Sequence, residues 1–183
     1  MSEISYEQFG VNFIQLAVTP DRVGAALHDV AGDEIEVGPM DVGPANAATV
    51  VARGRIAPPR VQRAGTAPLR FRAQLAVDLA LDVSVAGVGH HYDAQLRVPL
   101  QLTERTGEPL DLVIDVARLS ARSVDVELRA SGMRAKVLQR LGNVELEIRR
   151  HVAAFVRERV DSPAGVEARR LALLPLIDRA WEA

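Results

Sequence analysis

The longest regular pattern in this chain is an alternation of apolar and polar residues that runs from Leu69 to Val85. A period of two is typical of a β-strand with one buried face. These 17 residues would extend over about 56 Å at about 3.3 Å per residue, whereas most strands have about five or six residues. The strand must therefore either curve strongly around something or run along an elongated molecule.

Three further segments alternate in the same way. Residues 92–102 predict a second strand, which a Gly-Val-Gly turn at residues 87–89 joins to the first. Pro99 lies within this strand and has no N–H to donate, so it marks an edge position or a bulge. Residues 110–116 and 124–130 predict two more strands. Together the four strands predict an antiparallel meander with one apolar face.

The segments before the first strand have weaker patterns. Thr19 is a suitable N-cap for a short helix that has Pro20 in its first turn and Gly32 at its end. Residues 6–18 fit either a helix or a strand. Residues 57–68 contain adjacent prolines and a glycine, and we interpret them as a loop.

The C-terminal part of the chain has a helical pattern. Residues 133–160 carry apolar side chains at spacings of three and four, with a kink or restart expected at Gly142-Asn143. This long amphipathic helix is the candidate to cover the apolar face of the sheet, and residues 161–163 end it. A shorter amphipathic tail over residues 166–181 is expected to pack back through its apolar side chains, which are Leu171, Leu174, Ile177 and Trp181.

These elements predict an α+β fold, in which a long, curved antiparallel β-meander wraps around a long C-terminal helix, with a short N-terminal helix. The 183 residues are 48% hydrophobic and 25% charged, which is enough apolar material for a packed core. We expect a single domain over residues 1–183, with an N-terminal segment at 1–33, the sheet at 34–131 and the C-terminal helix and tail at 132–183.

Net charge and cysteine content exclude several classes of function. The formal charge of −2 creates no field that would attract nucleic acid, so a nucleic-acid partner is not expected. The chain has no cysteine, which excludes disulfides, thiolate-bound zinc and a cysteine nucleophile. The first ten residues contain Glu3 and Glu7 instead of a basic region, and no apolar run approaches the about 20 residues of a membrane span. We therefore predict a cytoplasmic protein that is not an integral membrane protein.

Candidate chemistry is limited to the histidines and to acidic residues on the predicted strands. Adjacent strand residues point to opposite faces, so His90 and His91 could share a metal only in a turn. His28 and His151 lie on predicted helices without a partner motif. We predict no catalytic residue, no metal and no cofactor; an enzyme that uses His90, His91 and Tyr92, converging on a cavity mouth, is a third hypothesis. The strand aspartates occupy the polar phase and are expected to face water; they are Asp78, Asp82, Asp111, Asp115 and Asp125.

The apolar face itself is the remaining candidate for function. Leucine and valine dominate it, and the sheet and the long helix can enclose either a packed core or a groove for an acyl chain. The residues predicted to line a ligand site come from the inward phase of the strands and from one face of the helix. They are Leu75, Val77, Leu79, Leu81, Leu96, Val98, Leu100, Leu112, Ile114, Leu141, Ile148, Val152 and Phe155.

A hairpin of very long strands, residues 69–85 and 92–102, is followed by a strand at residues 124–130 that runs into the helix at residues 137–160. This layout resembles the tubular lipid-binding superfamily, which includes the bactericidal/permeability-increasing and synaptotagmin-like mitochondrial lipid-binding domains. The resemblance covers roughly residues 69–160 and concerns the arrangement of elements, with no diagnostic motif. It implies an apolar tunnel for lipid tails between helix and sheet, and no set of catalytic residues.

A second arrangement fits the same elements. The helix-grip fold of START-like ligand-binding proteins begins with a strand and two short helices, and residues 11–18 followed by the helix from Pro20 resemble that beginning. Its curved sheet and C-terminal helix also enclose an apolar cavity. Both resemblances imply the same function, and we predict non-enzymatic binding of a lipid or other hydrophobic small molecule. A structural or interaction module that forms a homodimer is the alternative.

Overall fold

The computed structural model describes residues 3–129 and 144–181, the side chains of Pro44 and Leu176 excepted. These residues form an α+β fold, as predicted, in which an eight-stranded antiparallel sheet curls around helices. The helices are α1 (Tyr6–Ala17), α2 (Pro20–Ala31), α3 (Val144–Asp161), α4 (Pro163–Ala168) and α5 (Leu174–Trp181). The strands are β1 (Glu34–Val42), β2 (Ala48–Ile56), β3 (Arg60–Thr66), β4 (Leu69–Val85), β5 (Val88–Gly107), β6 (Asp111–Val116), β7 (Asp125–Arg129) and β8 (Arg170–Ala172). Single 3-10 turns lie at Pro44–Asn46 and Ala121–Ser123.

The hairpin of β4 and β5 forms the centre of the sheet through 16 residue pairs. Each of these long strands has two short partners on its other side. Along β4, β3 pairs with residues 69–74 and β2 with residues 77–85; along β5, β7 pairs with residues 93–97 and β6 with residues 102–107. β1 adds to β2, and β8 adds to β6. The order departs from a simple meander because β7 returns to β5 and does not pair with β6.

Strand β3 corrects the prediction of a loop over residues 57–68. The pairing of β2 with β4 ends at Ile56 and Val77, so the first half of β4 would lack a partner on that side without β3. An unpaired edge exposes backbone donors and acceptors that a neighbouring strand can satisfy. Most side chains of β3 face solvent. The strand therefore carries no apolar alternation by which the sequence could have revealed it.

The β4–β5 turn begins one residue earlier and ends two residues earlier than predicted. Val85 pairs with Val88, so the loop consists of Ala86 and Gly87 alone, with φ angles of 48° and 82°. Two consecutive residues with positive φ are the geometry that matches the twist of a two-residue hairpin. Val88 and Gly89, which the sequence assigned to the turn, belong to β5.

Pro99 occupies an edge position within the longest strand, as predicted. It pairs with Gln74 on the β4 side, but on the other side it lies between the start of β7, where Asp125 pairs with Arg97, and the end of β6, where Val116 pairs with Leu102. The N–H of Ala117 donates to the oxygen of Gln101, which shows that odd-numbered residues of β5 direct their backbone groups away from β4. The missing N–H of Pro99 therefore falls in the gap between β7 and β6, where no strand needs it.

Helices α2 and α3 lie on the apolar inner face of the sheet. Every second side chain of β4 from Leu69 to Val83 is buried on this face. The helices contribute further buried side chains, namely Val23 and Ala31 from α2 and Val144, Ile148, Val152 and Ala153 from α3. The predicted helix over residues 133–160 corresponds to α3 from Val144 onwards and ends at Asp161, as predicted. Residues 130–143, which include the predicted kink at Gly142-Asn143, lie outside the described residues.

The two N-terminal helices have well-defined caps. The segment whose pattern fitted either a helix or a strand forms helix α1, which ends at Ala17, and Ser5 caps it by accepting a hydrogen bond from the N–H of Gln8 at 3.1 Å. Thr19 caps α2 in the same way, with 3.3 Å between its hydroxyl oxygen and the N–H of Arg22. Gly32 ends α2 with a φ of 76°, which glycine adopts without strain. Among the helices of the described residues, none combines the length and the hydrophobicity that a membrane span requires.

The predicted packing of the C-terminal tail is wrong. Residues 170–172 form β8, which extends the sheet beyond β6, and the N–H of Leu173 donates to the oxygen of Leu110 at 2.9 Å. Leu173 is the buried side chain of this segment. A strand inserted in the tail shifts the apolar stripe out of helical phase. The four side chains that the helical pattern had placed inside are exposed, namely Leu171, Leu174, Ile177 and Trp181.

Gly54 of β2 allows the close approach of β4. A Cβ atom at this position would lie 2.1 Å from the backbone oxygen of Asp78 and 2.5 Å from a methyl carbon of Leu79. Since the ladder holds the Asp78 oxygen in place, we expect Gly54→Ala to lower the free energy of unfolding by about 1–3 kcal/mol in urea denaturation. Gly89→Ala in β5 is the control, because an added Cβ there meets nothing within 4 Å. Equal losses of stability in Gly54→Ala and Gly89→Ala would show that the close approach of β4 does not require glycine at position 54.

Candidate functional site

An apolar cavity of about 460 Å³, here called the main cavity, lies between the α1–α2 corner, strands β6 and β8, and the α3–α4 junction. It is partly open to solvent, and its volume is within the about 300–1,000 Å³ that small-molecule sites occupy. Of its 19 lining residues, 16 are apolar or glycine and the other three are arginines. They are Phe13, Ala17, Val18, Arg22, Val23, Ala26, Leu27, Val30, Leu102, Leu112, Ile114, Val116, Val160, Gly165, Ala168, Arg169, Arg170, Leu171 and Leu173.

Two arginines fix the α1–α2 corner, which forms one wall of the main cavity. The last carbonyls of a helix have no partner within the helix itself. Here Arg22 donates to the oxygen of Ala17 at 2.8 Å, and Arg63 of β3 donates to the oxygens of Gln15 at 3.1 Å and Val18 at 3.4 Å. Strand β3 therefore anchors the end of α1 to the sheet.

The α3–α4 junction forms the opposite wall and depends on a close backbone approach. A Cβ atom at Gly165, in the first turn of α4, would lie 2.1 Å from the oxygen of Arg159, so α4 accommodates only glycine at this position. Ser162 caps α4 by accepting a hydrogen bond from the N–H of Gly165 at 3.0 Å. Arg169 then donates to the oxygens of Gly165 and Val160, each at 3.1 Å. These contacts hold the Arg169 guanidinium beside the cavity.

Strand β8 completes the wall by pairing with β6. Arg170 on β8 donates from Nε to a carboxylate oxygen of Asp111 on β6 at 2.8 Å. The N–H of Ile114 donates to the oxygen of Arg169 at 2.9 Å, just before β8 begins. The segment that carries Arg169 and Arg170 is therefore fixed on the sheet edge by both backbone and side-chain contacts.

A second cavity, of about 40 Å³ and here called the small cavity, lies between α2, α3 and the middle of β4 and β5. Its lining is apolar except for Arg159. It shares three lining residues with the main cavity, namely Leu27, Val30 and Val160. The small cavity therefore adjoins the main cavity on the side that faces the centre of the sheet.

The structure distributes the sequence-predicted lining residues over several places. Six of them line the small cavity: Leu75, Val77, Val98, Leu100, Val152 and Phe155. Leu112 and Ile114 line the main cavity. The other four described residues line neither cavity and are buried in the core: Leu79, Leu81, Leu96 and Ile148. Leu141 lies outside the described residues. Whether any of these side chains contacts a ligand stays a prediction.

Sequence reasoning missed the part of the main cavity that does not belong to the long strands. The apolar stripe of α2, which includes Leu27 and Val30, was visible in the pattern and could have been placed against the sheet. Phe13 lies in residues 6–18, whose pattern fitted either a helix or a strand. Arg22 and Arg169 carried no signal, because scattered arginines are common in this chain and their position beside a cavity depends on the fold.

The histidines do not come together. His90 and His91 lie on opposite faces of β5 and not in the turn, and His91 contacts Asp82 of β4 through Nδ1. Nε2 of His28 lies 3.2 Å from Asp33, and Nδ1 of His151 lies 2.9 Å from a backbone oxygen of its own helix. No histidine lines the main or the small cavity. In residues 3–129 and 144–181, no group of three histidine or acidic side chains is arranged to hold a metal ion.

The strand aspartates lie on the outer face of the sheet and have polar partners. Asp78 and Asp125 are exposed, as predicted, and lie 3.0 Å from Gln95 and 3.3 Å from Arg97. The other three are half-buried beside cationic or titratable side chains: Asp82 beside Arg53 and His91, Asp111 beside Arg170, and Asp115 beside Arg105. Asp78 accepts a hydrogen bond from the Gln95 amide, and the other four carboxylates pair with arginine or histidine side chains, so they do not face one another across a cleft.

Comparison with known proteins gives little to identify the chain. No family model and no curated protein matches it. Among solved structures, it is similar to a chain titled "Crystal structure of lipopolysaccharide binding protein", with a TM-score of 0.33 and 10% sequence identity. The match covers 82% of this chain and 38% of the length of that protein. At this TM-score the comparison decides neither the family nor the ligand, so the resemblance to tubular lipid-binding proteins stays a prediction.

The position of the cavity predicts different consequences for the same truncation at two buried leucines. Leu81 is fully buried in the core and Leu112 is 3% exposed beside the main cavity. We expect Leu81→Ala to lower the free energy of unfolding by about 3–5 kcal/mol and Leu112→Ala by about 2–3 kcal/mol, because Leu112 has fewer neighbours to lose on its cavity side. Urea denaturation measures both. A larger loss of stability in Leu112→Ala than in Leu81→Ala would mean that side chains fill the cavity in solution.

Proposed function

We propose that this protein binds a lipid or other hydrophobic small molecule in the main cavity, without catalysis. The observation that carries the proposal is the apolar lining of a preformed space of about 460 Å³. Apolar surface that neither packs nor meets a ligand stays in contact with water, which costs about 25 cal/mol per Å². A ligand that fills the space removes this cost.

The shape of the internal space supports a ligand with an extended apolar part. The main and small cavities adjoin at Leu27, Val30 and Val160, so an apolar chain that displaces these side chains extends along α2 towards the core. The small cavity alone has room for about one or two water molecules. The bulk of the ligand therefore belongs in the main cavity, and only the end of a chain reaches further inside.

The chemistry of the lining supports binding in preference to catalysis. The charged residues that line the main cavity are Arg22, Arg169 and Arg170. Arginine stays protonated in proteins and so does not serve as a general base. The lining includes no serine, histidine or carboxylate that could act as a nucleophile or transfer a proton.

Ala26→Trp tests the proposal by filling the cavity. Ala26 lines the main cavity on α2, whereas its neighbour Ala25 is exposed on the same helix. We expect Ala26→Trp to weaken binding of the neutral fluorescent probe N-phenyl-1-naphthylamine by at least about tenfold, because the indole occupies the space. Ala25→Trp is the matched control and should bind like the unmodified protein. Equal affinity of the two variants, or no binding of the probe to any of them, would contradict the proposal.

Exposed apolar side chains on α1 and α5 favour a second candidate function, a module that associates with a second copy of itself. Tyr6 is 97% exposed and Trp181 is 87% exposed, and Phe9 and Leu16 of α1 are also largely exposed. Exposed apolar surface is typical of association sites. Size-exclusion chromatography with light scattering tests it. A dimer that Leu16→Glu dissociates would support this candidate, and a strict monomer at micromolar concentration would remove it.

A further inference from the structure

All the charged side chains that line the main cavity are positive. Its three charged lining residues are arginines, and of these Arg170 is paired with Asp111. For Arg22 and Arg169, no carboxylate within the described ranges lies within 4.0 Å. The cavity therefore has two positive charges that no acidic side chain of the described protein neutralises.

Backbone carbonyls, and not carboxylates, hold both guanidinium groups in place. Arg22 donates one hydrogen bond, to Ala17, and Arg169 donates one each to Gly165 and Val160. A guanidinium has five N–H donors, so both groups keep donors for a further acceptor. Because the side chains are already ordered, an anion that binds them loses less conformational entropy than it would with free arginines.

Apolar surroundings make these two charges selective. Arg22 is exposed and Arg169 is half-buried, but both border the apolar lining, and a cation beside an apolar wall interacts with an anion more strongly than it would in bulk water. A planar guanidinium also fits the two oxygens of a carboxylate or phosphate group. A cationic head group would meet repulsion from the same residues, and a neutral one would leave the charges uncompensated.

We infer that the ligand is an anionic amphiphile, whose carboxylate or phosphate group binds Arg22 and Arg169 while its apolar chain fills the main cavity. This inference rests on the proposed function and adds the chemical class of the ligand. It also orients the ligand, with the head at the α1–α2 corner and the α3–α4 junction and the tail towards Leu27 and Val30, where the small cavity begins.

Displacement of N-phenyl-1-naphthylamine by three 12-carbon compounds tests the inference. The compounds are dodecanoate, dodecyl phosphate and dodecan-1-ol, which share a chain and differ in charge. We expect Arg22→Gln to weaken displacement by either anion by about tenfold and to change displacement by the alcohol by less than about twofold, because only the anions lose a charge-assisted hydrogen bond. Glutamine has a helix propensity close to that of arginine and keeps a polar side chain without the charge.

Two controls separate the head-group effect from a loss of structure. Arg72→Gln removes the same charge from the exposed outer face of β4 and should leave all three affinities unchanged. Thermal unfolding should show that Arg22→Gln is folded, since Arg22 is exposed and donates a single hydrogen bond. Arg169→Gln is the second cavity variant and should show the same selective loss for the anions.

The outcomes distinguish the inference from the function on which it rests. If Arg22→Gln weakens displacement by the carboxylate, the phosphate or both, and not by the alcohol, the result supports the inference. Displacement by all three compounds with no difference between unmodified protein and Arg22→Gln overturns the inference and leaves the proposed function standing. If none of the compounds displaces the probe and the probe itself does not bind, the proposed function fails.

Discussion

The backbone ladder between β4 and β5 is the constraint on which the rest of the structure depends. Its 16 residue pairs make a hairpin much longer than its neighbours, and each outer edge of that hairpin has donors and acceptors that need partners. No single neighbouring strand is long enough, so two short strands complete each edge in tandem. The gap between β7 and β6 falls at Pro99, which has no N–H to leave unpaired.

The main cavity follows from this division of the sheet into two ends. At one end α3 packs its buried face against β1 and β7. At the other end, beside β6, α3 comes to its end at Asp161, and α2, α4 and β8 surround the remaining apolar surface without filling it. Arg63, Arg169 and Arg170 hold these elements to the sheet or to one another through hydrogen bonds. The space is therefore built into the fold by elements whose positions are fixed.

Local patterns in the sequence predicted some of these elements well because neighbouring residues alone determine where the elements begin and end. Strand β4 has the predicted bounds of Leu69 and Val85, since one buried face dictates a strict alternation. Helix α2 has its predicted cap at Thr19 because capping needs only neighbouring residues. Strands β3 and β8 were missed because they are stabilised by pairing with edges of β4 and β6 that would otherwise be open, and their own residues do not reveal this pairing. The main cavity depends on how such elements meet, so the predicted lining identified Leu112 and Ile114 but none of the residues of α1, α2 or α4.

Native mass spectrometry of the protein purified from its own host, followed by organic extraction, tests most directly whether the main cavity holds an apolar ligand. The proposed function predicts a stoichiometric mass above that of the 183-residue chain, and an extracted compound with a long apolar part. A spectrum of the bare chain alone, with nothing apolar in the extract and no thermal stabilisation by any of a panel of lipids, would contradict it.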